Sequence, residues 1–153
     1  MKKVLLVLVA VLGLAFAADA QNLGVRLGTG TELSYQQNLG GVSRLEFDLG
    51  LDGIFNNNEW NFFCLTGIYQ FHWNIVDKLG WYIGPGATVG FYSWKGHSSE
   101  LGALVGGQLG IDYELPIPLQ LSLDVRPMWY LAGPEYVTNR YNIGACLGIR
   151  YMF

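Results

Sequence analysis

A chain of 153 residues with a formal net charge of −3, 51% apolar and 14% aromatic, is long enough for one domain and short for two. It contains no basic run, which argues against nucleic acid as a partner, and no zinc or calcium ligand spacing appears anywhere in it, so no cofactor is expected. Beyond residue 20 no apolar run approaches the length of a membrane-spanning helix, so the apolar content must be spread over shorter elements.

The chain begins with Lys2 and Lys3, an unbroken apolar run from Val4 to Ala18, and then Ala18-Asp19-Ala20. A basic start, a short apolar stretch and an A-x-A site read as a secretory signal peptide, residues 1–20, cut before Gln21. Fifteen apolar residues are few for a membrane span, and no cysteine follows for lipoprotein processing. Residues 21–153 would be the mature domain, with seven basic and eleven acidic side chains.

Eight strands are expected in that domain, at 22–28, 31–37, 42–51, 61–75, 81–94, 100–115, 119–131 and 139–153. The last of these, NRYNIGACLGIRYMF, sets the pattern: Tyr141, Ile143, Ala145, Leu147, Ile149, Tyr151 and Phe153 share one parity, and Asn142, Gly144, Cys146, Gly148, Arg150 and Met152 the other. Side chains alternate across a strand, so one face is apolar and its opposite polar or small. The first two strands are the shortest, and reading 22–36 as one strand instead would leave seven, an odd number that bacterial single-chain barrels avoid.

Across the eight strands every charged residue is even-numbered: Arg26, Glu32, Arg44, Glu46, Asp48, Glu100, Asp112, Glu114, Asp124, Arg126, Arg140 and Arg150. Odd positions carry residues such as Phe47, Leu65, Leu109, Leu123 and Val125. A soluble barrel would turn the apolar face inward, and a membrane barrel would turn it toward lipid and line its interior with the charges. Three observations favour the membrane arrangement. Aromatic residues on the apolar face recur ten apart, at Phe63 and Trp73, Trp81 and Phe91, and Tyr141 and Tyr151, with Trp129 on the same face. Ten residues on a strand tilted by roughly 40° rise about 25 Å, the height between two aromatic girdles. The charged face is rich in glycine, as the crowded lumen of a small barrel requires. Finally, Lys78 and Lys95 lie in connections while the five in-strand cations are arginines, the residue suited to buried bidentate pairing. The fold class expected is therefore an all-β, eight-stranded antiparallel up-and-down transmembrane barrel.

The connections at 38–41, 76–80 and 116–118 are short and would face the periplasm, while those at 28–30, 52–60, 95–99 and 132–138 would face outward. Pro85 and Pro127 each remove a ladder donor inside a strand, so a bulge or irregular pairing is expected at both.

The phrases GVRLG, ELSYQ, RLEFDLGL, WYIGPGATVGFY, LQLSLDVRPMWY and GIRYMF resemble the small outer-membrane β-barrel proteins of Gram-negative bacteria, of the OmpA/OmpX eight-stranded type, over essentially the whole mature chain. The resemblance implies location in the outer membrane, contact with its lipid, and delivery by the barrel-assembly machinery, which reads a C-terminal aromatic strand; Tyr151 and Phe153 match that signal by position.

The chemistry on offer is limited. Arg26, Glu32, Arg44, Glu46, Asp48, Asp112, Glu114, Asp124, Arg126 and Arg150 should form an interior ion network, with Arg126 beside Asp124 and Arg44 beside Glu46 and Asp48 as its expected cores. Such a network either plugs the barrel or lines a narrow pore for small solutes. His97-Ser98-Ser99 could serve a lipid-modifying enzyme, His97 acting on Ser98 or Ser99, but no nucleophile elbow surrounds them and a hydrophilic loop explains them. His72 should be a hydrogen-bonded interior side chain near Gln70 and Asn74. Cys64 and Cys146 face inward from strands on opposite sides of the barrel, beyond the roughly 7 Å Cα limit for bridging, and are expected to stay free thiols. Gly67 and Gly107 interrupt the lipid-facing surface, each expected to sit beside an aromatic neighbour. The function expected is a monomeric, non-enzymatic barrel with a filled interior and an envelope-structural or binding role.

Overall fold

The computed structural model describes residues 21–52, 60–94, 100–133 and 140–153. Among them are eight strands: β1 (Gln21–Gly28), β2 (Thr31–Gly40), β3 (Ser43–Asp52), β4 (Trp60–Val76), β5 (Leu79–Trp94), β6 (Glu100–Glu114), β7 (Leu119–Ala132) and β8 (Tyr141–Met152). Each pairs antiparallel with its sequence neighbour, and β8 returns to β1 to close the cylinder, from Asn22 opposite Met152 to Gly28 opposite Cys146. Closure leaves no bare sheet edge along the paired segments, the condition for placing strands in hydrocarbon.

All eight expected strands are present, with altered ends. Strand β2 runs to Gly40, past the expected end at 37, because Gly40 and Gly41 adopt φ of +93° and +62° and tighten the turn to Gly41-Val42. Asp77, at φ +41°, does the same in the β4–β5 turn, a left-handed position that a short polar side chain tolerates. Strand β8 starts at Tyr141, two residues later than expected. The first hairpin is longer than the sequence pattern suggested, at 8 and 10 residues, yet still short beside the 17 of β4, so the wall is lowest there.

The parity rule decides which way the wall faces. On the odd face Phe47, Leu109 and Val125 are 36%, 46% and 42% exposed, whereas Arg44 and Asp124 on the even face are 3% and 2% exposed. The lumen is where side chains are buried. It is not purely polar: Ile68, Leu104 and Met128 form an apolar cluster inside it, with Tyr130 packed alongside.

At the prolines there is no register slip. The β4–β5 ladder lapses between Ile68–Gly86 and Phe71–Ile83, and the β6–β7 ladder between Gly106–Met128 and Leu109–Val125, with the register unchanged across each gap. Pro85 and Pro127 fall in these gaps because neither offers an N–H to the strand beside it. The Tyr69 carbonyl, opposite Pro85, lies where a side chain on Gly84 would have to be, and the Pro127 carbonyl does the same at Gly106. Glycine is therefore required at 84 and 106 by close backbone approach. At Gly110 the obstacle is the Tyr82 ring and Asp124, the crowding inferred from the sequence. Gly67 lies under the Phe47 ring, as expected for an aromatic neighbour, but Gly107 is flanked by Pro85 instead, so that expectation fails there.

If the odd face meets hydrocarbon, Val125→Arg near the middle of β7 should cost about 2–4 kcal/mol when unfolding is followed by urea titration in lipid vesicles. A cost near zero would mean that Val125 faces water.

Candidate functional site

The lumen is built around Glu46, which points inward from β3 and is fully buried. Its Oε2 accepts from Gln36 Nε2 at 2.5 Å, Gln70 Nε2 at 2.9 Å and Arg150 Nη2 at 2.9 Å. Its Oε1 accepts from Gln108 Nε2 at 3.0 Å and Arg126 Nη2 at 3.1 Å. One carboxylate thus collects donors from β2, β4, β6, β7 and β8, which ties most of the circumference to one point.

Two residues along β3, Asp48 accepts from Arg126 Nη2 at 2.6 Å and Arg26 Nη1 at 3.1 Å. Arg26 also pairs with Glu32 and with Asp124, and Tyr82 donates its hydroxyl to Asp124 at 3.0 Å. Arg150 uses every nitrogen: Nε to Ser34, Nη1 to Ser122 and Nη2 to Glu46. Arg44 donates to Gln70 at 2.6 Å and to Asp112 at 3.0 Å, with its guanidinium 4.9 Å from the Tyr82 ring centre. Asp112 further accepts from Gln120, and His72 Nε2 lies 2.9 Å from its other oxygen, which gives His72 the interior hydrogen bond expected of it.

Nine of the ten residues expected in the network are brought together, but through different partners. Arg126 pairs with Glu32, Glu46 and Asp48 rather than with Asp124, and Arg44 pairs with Asp112 rather than with Glu46 or Asp48. Residues two apart on a strand project side by side, and a long arginine in a narrow lumen reaches the far wall before it can fold back on its neighbour. Glu114 is the exception: as the last residue of β6 it is exposed at the rim and stands outside the network, as do exposed Glu100 and Arg140.

The glutamines Gln36, Gln70, Gln108 and Gln120 supply three of the five hydrogen bonds to Glu46 and one to Asp112, and the pattern of charges alone does not point to them. All four are even-numbered, so parity without regard to charge would have found them. The same holds for Tyr82, Ser34, Ser122 and the hydrogen-bonded pair Thr66–Thr88.

The network divides the lumen. On the side of the short turns lies a cavity of about 570 Å³, and on the other side one of about 90 Å³; they share no lining residue. Glu46, Arg150, Tyr82, Gln36, Gln70 and Gln108 line neither and form the partition between them. Cys64 and Cys146 are buried and not joined by a disulfide, and both border the smaller cavity.

Outside, the expected girdle residues pair across strands. Trp73 stacks on Trp81 with centroids 4.9 Å apart, Trp129 meets Tyr141 at 5.0 Å, and Phe63 stands opposite Phe91 in the ladder. Tyr151 and Phe153 lie on the exposed face at the turn side, their rings 6.2 Å apart. Phe153 exchanges both backbone hydrogen bonds with Gln21, so the last residue also fastens the β8–β1 seam. His97, Ser98 and Ser99, the leader at 1–20 and Lys95 lie outside the described residues.

No protein-family model and no curated protein matches the chain. Among solved structures, the N-terminal β-barrel domain of Pseudomonas aeruginosa OprF superimposes with a TM-score of 0.66 at 12% identity, over 88% of this chain and 96% of that one. Neisserial surface protein A superimposes with a TM-score of 0.57, also at 12% identity, over 88% of this chain and 94% of that one. The chain has the fold of the eight-stranded outer-membrane β-barrels. At that identity the likeness concerns the backbone, and the interior of this outer-membrane-type barrel must be read from its own residues.

Removing the centre of the network should be costly. Glu46→Ala leaves Arg126 and Arg150 facing an empty position and is expected to lose about 3–5 kcal/mol of unfolding free energy in a urea titration, whereas Glu100→Ala at the exposed rim should stay within about 0.5 kcal/mol. The thiols give a separate check: a maleimide should label neither cysteine in the folded barrel and both after denaturation without reductant.

Proposed function

We propose that this chain is a small, non-enzymatic outer-membrane barrel with a filled, ion-paired interior, serving an envelope-structural or binding role. The observation that carries this reading is the partition around Glu46, because among the described residues the cavities on its two sides have no lining residue in common. A solute crossing the barrel would have to break several buried charge-assisted hydrogen bonds at once. Eight strands enclose space just wide enough for side chains, so nothing in the architecture compensates for that.

The leader at 1–20 would carry the chain across the inner membrane, and the exposed Tyr151 and Phe153 would present it to the barrel-assembly machinery. The short turns and both ends of the domain would then lie in the periplasm. The paired aromatics mark the two interfaces with lipid, and the protein would work as a monomer.

In planar bilayers the purified barrel should give no steady single-channel current; regular conductance steps would favour the pore for small solutes and contradict a filled interior. Replacing His97, Ser98 and Ser99 together should leave the lipid composition of the envelope unchanged, and an altered lipid profile would favour the enzyme.

A further inference from the structure

The wall of the barrel is not equally tall all round. On β5 the outward apolar band runs from Trp81 to Phe91, ten residue steps, or about 25 Å at a tilt of roughly 40°. On β1 it runs only from Leu23 through Val25 to Leu27, four steps, or about 10 Å by the same measure. The strands on either side continue past this hairpin, away from the short turns. The last β1–β8 pairing is Gly28 with Cys146, and β8 goes on through Ala145 and Ile143 to the girdle residue Tyr141. The last β2–β3 pairing on that side is Glu32 with Gly50, and β3 goes on to Leu51, beside the girdle residue Phe63. The exposed tip at Gly28 and Thr29 therefore ends short of the girdle, at a depth where the rest of the wall faces hydrocarbon. We propose that the bilayer is thinned on this side, so that water and the polar headgroups of the adjoining leaflet descend to the tip of the β1–β2 hairpin. The proposal rests on reading the barrel as membrane-spanning.

Backbone groups at the gap call for a polar neighbour. The Thr29 N–H donates to the Ala145 carbonyl at 3.1 Å and the Gln21 N–H to the Phe153 carbonyl at 3.2 Å, so odd-numbered residues of β8 turn their backbone groups toward β1. Because β1 ends at Gly28, the N–H and C=O of Ile143 point into the gap, where no described strand meets them. In hydrocarbon such groups would stay unsatisfied, a costly state that water relieves. Asn142 tells the same story from the inside. Its even number directs it to the lumen, where Met128, opposite it on β7, is 4% exposed, yet Asn142 itself is exposed.

The chemistry of the tip selects its neighbour. Gly28-Thr29-Gly30-Thr31 carries hydroxyls and bare backbone and no large apolar side chain to set against lipid tails. A lipid tail or an apolar partner in the gap would leave these groups and those of Ile143 without hydrogen bonds. A membrane protein whose apolar band is too short for the bilayer is accommodated by local thinning, at a modest cost per ångström, and thinning brings water to all of them at once. Thr29, Gly30, Asn142 and Gly144 also border the smaller cavity, so the headgroups would reach the rim of that cavity from the side.

The test compares two outward positions, each two residues inside its own girdle aromatic: Ile143, beside the gap and next in line to Tyr141, and Val89, on the tall wall and next in line to Phe91. Ile143→Cys and Val89→Cys, in a barrel whose own cysteines are replaced by alanine, would each carry one nitroxide label in dioleoylphosphatidylcholine vesicles. The ratio of collisions with a water-soluble nickel complex to collisions with oxygen should be shifted toward nickel at Ile143 and stay low at Val89. Inserting Ser-Val after Leu27 and Val-Ser before Thr31 lengthens both strands without changing their parity and sets a strand beside Ile143. This insertion should lower the Ile143 ratio to that of Val89, with heat-dependent gel mobility verifying that the longer hairpin folds; the comparison in the unaltered hairpin decides the matter if it does not. Equally low ratios at the two positions would overturn the proposal and leave the membrane barrel standing. A label at Ile143 shielded from both reagents, the sign of a second copy or another segment in the gap, would overturn it too, as would a high ratio unmoved by a folded insertion. Nickel-dominated collisions at Val89 as well would remove the membrane-spanning reading itself.

Discussion

The structure depends on one buried carboxylate. Glu46 accepts five hydrogen bonds from five strands, two of them from guanidinium groups, at a place closed to solvent. A charge so placed is tolerable only because its acceptor sites are filled, and each donor it holds is in turn fixed by a second partner. Arg150 shows this most fully, with Ser34 and Ser122 taking the nitrogens that Glu46 does not. Networks of this kind add little net stability over an apolar filling, but they penalise every arrangement in which one member is missing. They therefore specify which side chain faces which across the lumen, and through that the register of the wall.

The wall is shaped by a different requirement. In lipid each backbone N–H and C=O needs a partner within the protein, which explains both the closed cylinder and the hydrogen bonds between Gln21 and Phe153 at its seam. Pro85 and Pro127 break this rule locally, and near them the carbonyls of Tyr69 and Pro127 fill the space that a side chain on Gly84 or Gly106 would need. The ion-paired lumen and the closed, apolar-faced wall thus meet different demands on opposite faces of the same strands.

Most of the fold could be read from the sequence because a period of two survives along nearly every strand, and because charge and glycine fall on one parity while large apolar residues fall on the other. The unwritten part was the partner of each charge. Side-by-side pairs such as Arg126 with Asp124 are adjacent in sequence, but contacts in a closed lumen run across it, and which residues meet depends on tilt and stagger that a linear pattern does not carry. Counting charges also hid the uncharged members: the glutamines and Tyr82 are inward by parity, and the cluster of Ile68, Leu104 and Met128 shows that an inward residue need not be polar at all. Glu114 failed for the opposite reason, since parity sets the face but not the height, and a strand's last residue stands at the rim.

The central claim is the direction in which the apolar face looks, and collision rates at that face measure it directly. Nitroxide labels placed singly at Leu109, Leu123, Val125 and Leu147, in a cysteine-free barrel reconstituted in bilayers, report access to oxygen dissolved in lipid and to a water-soluble nickel complex. The account predicts frequent oxygen collisions and few nickel collisions at all four positions. Labels shielded from both reagents, or reached mainly by nickel, would contradict it.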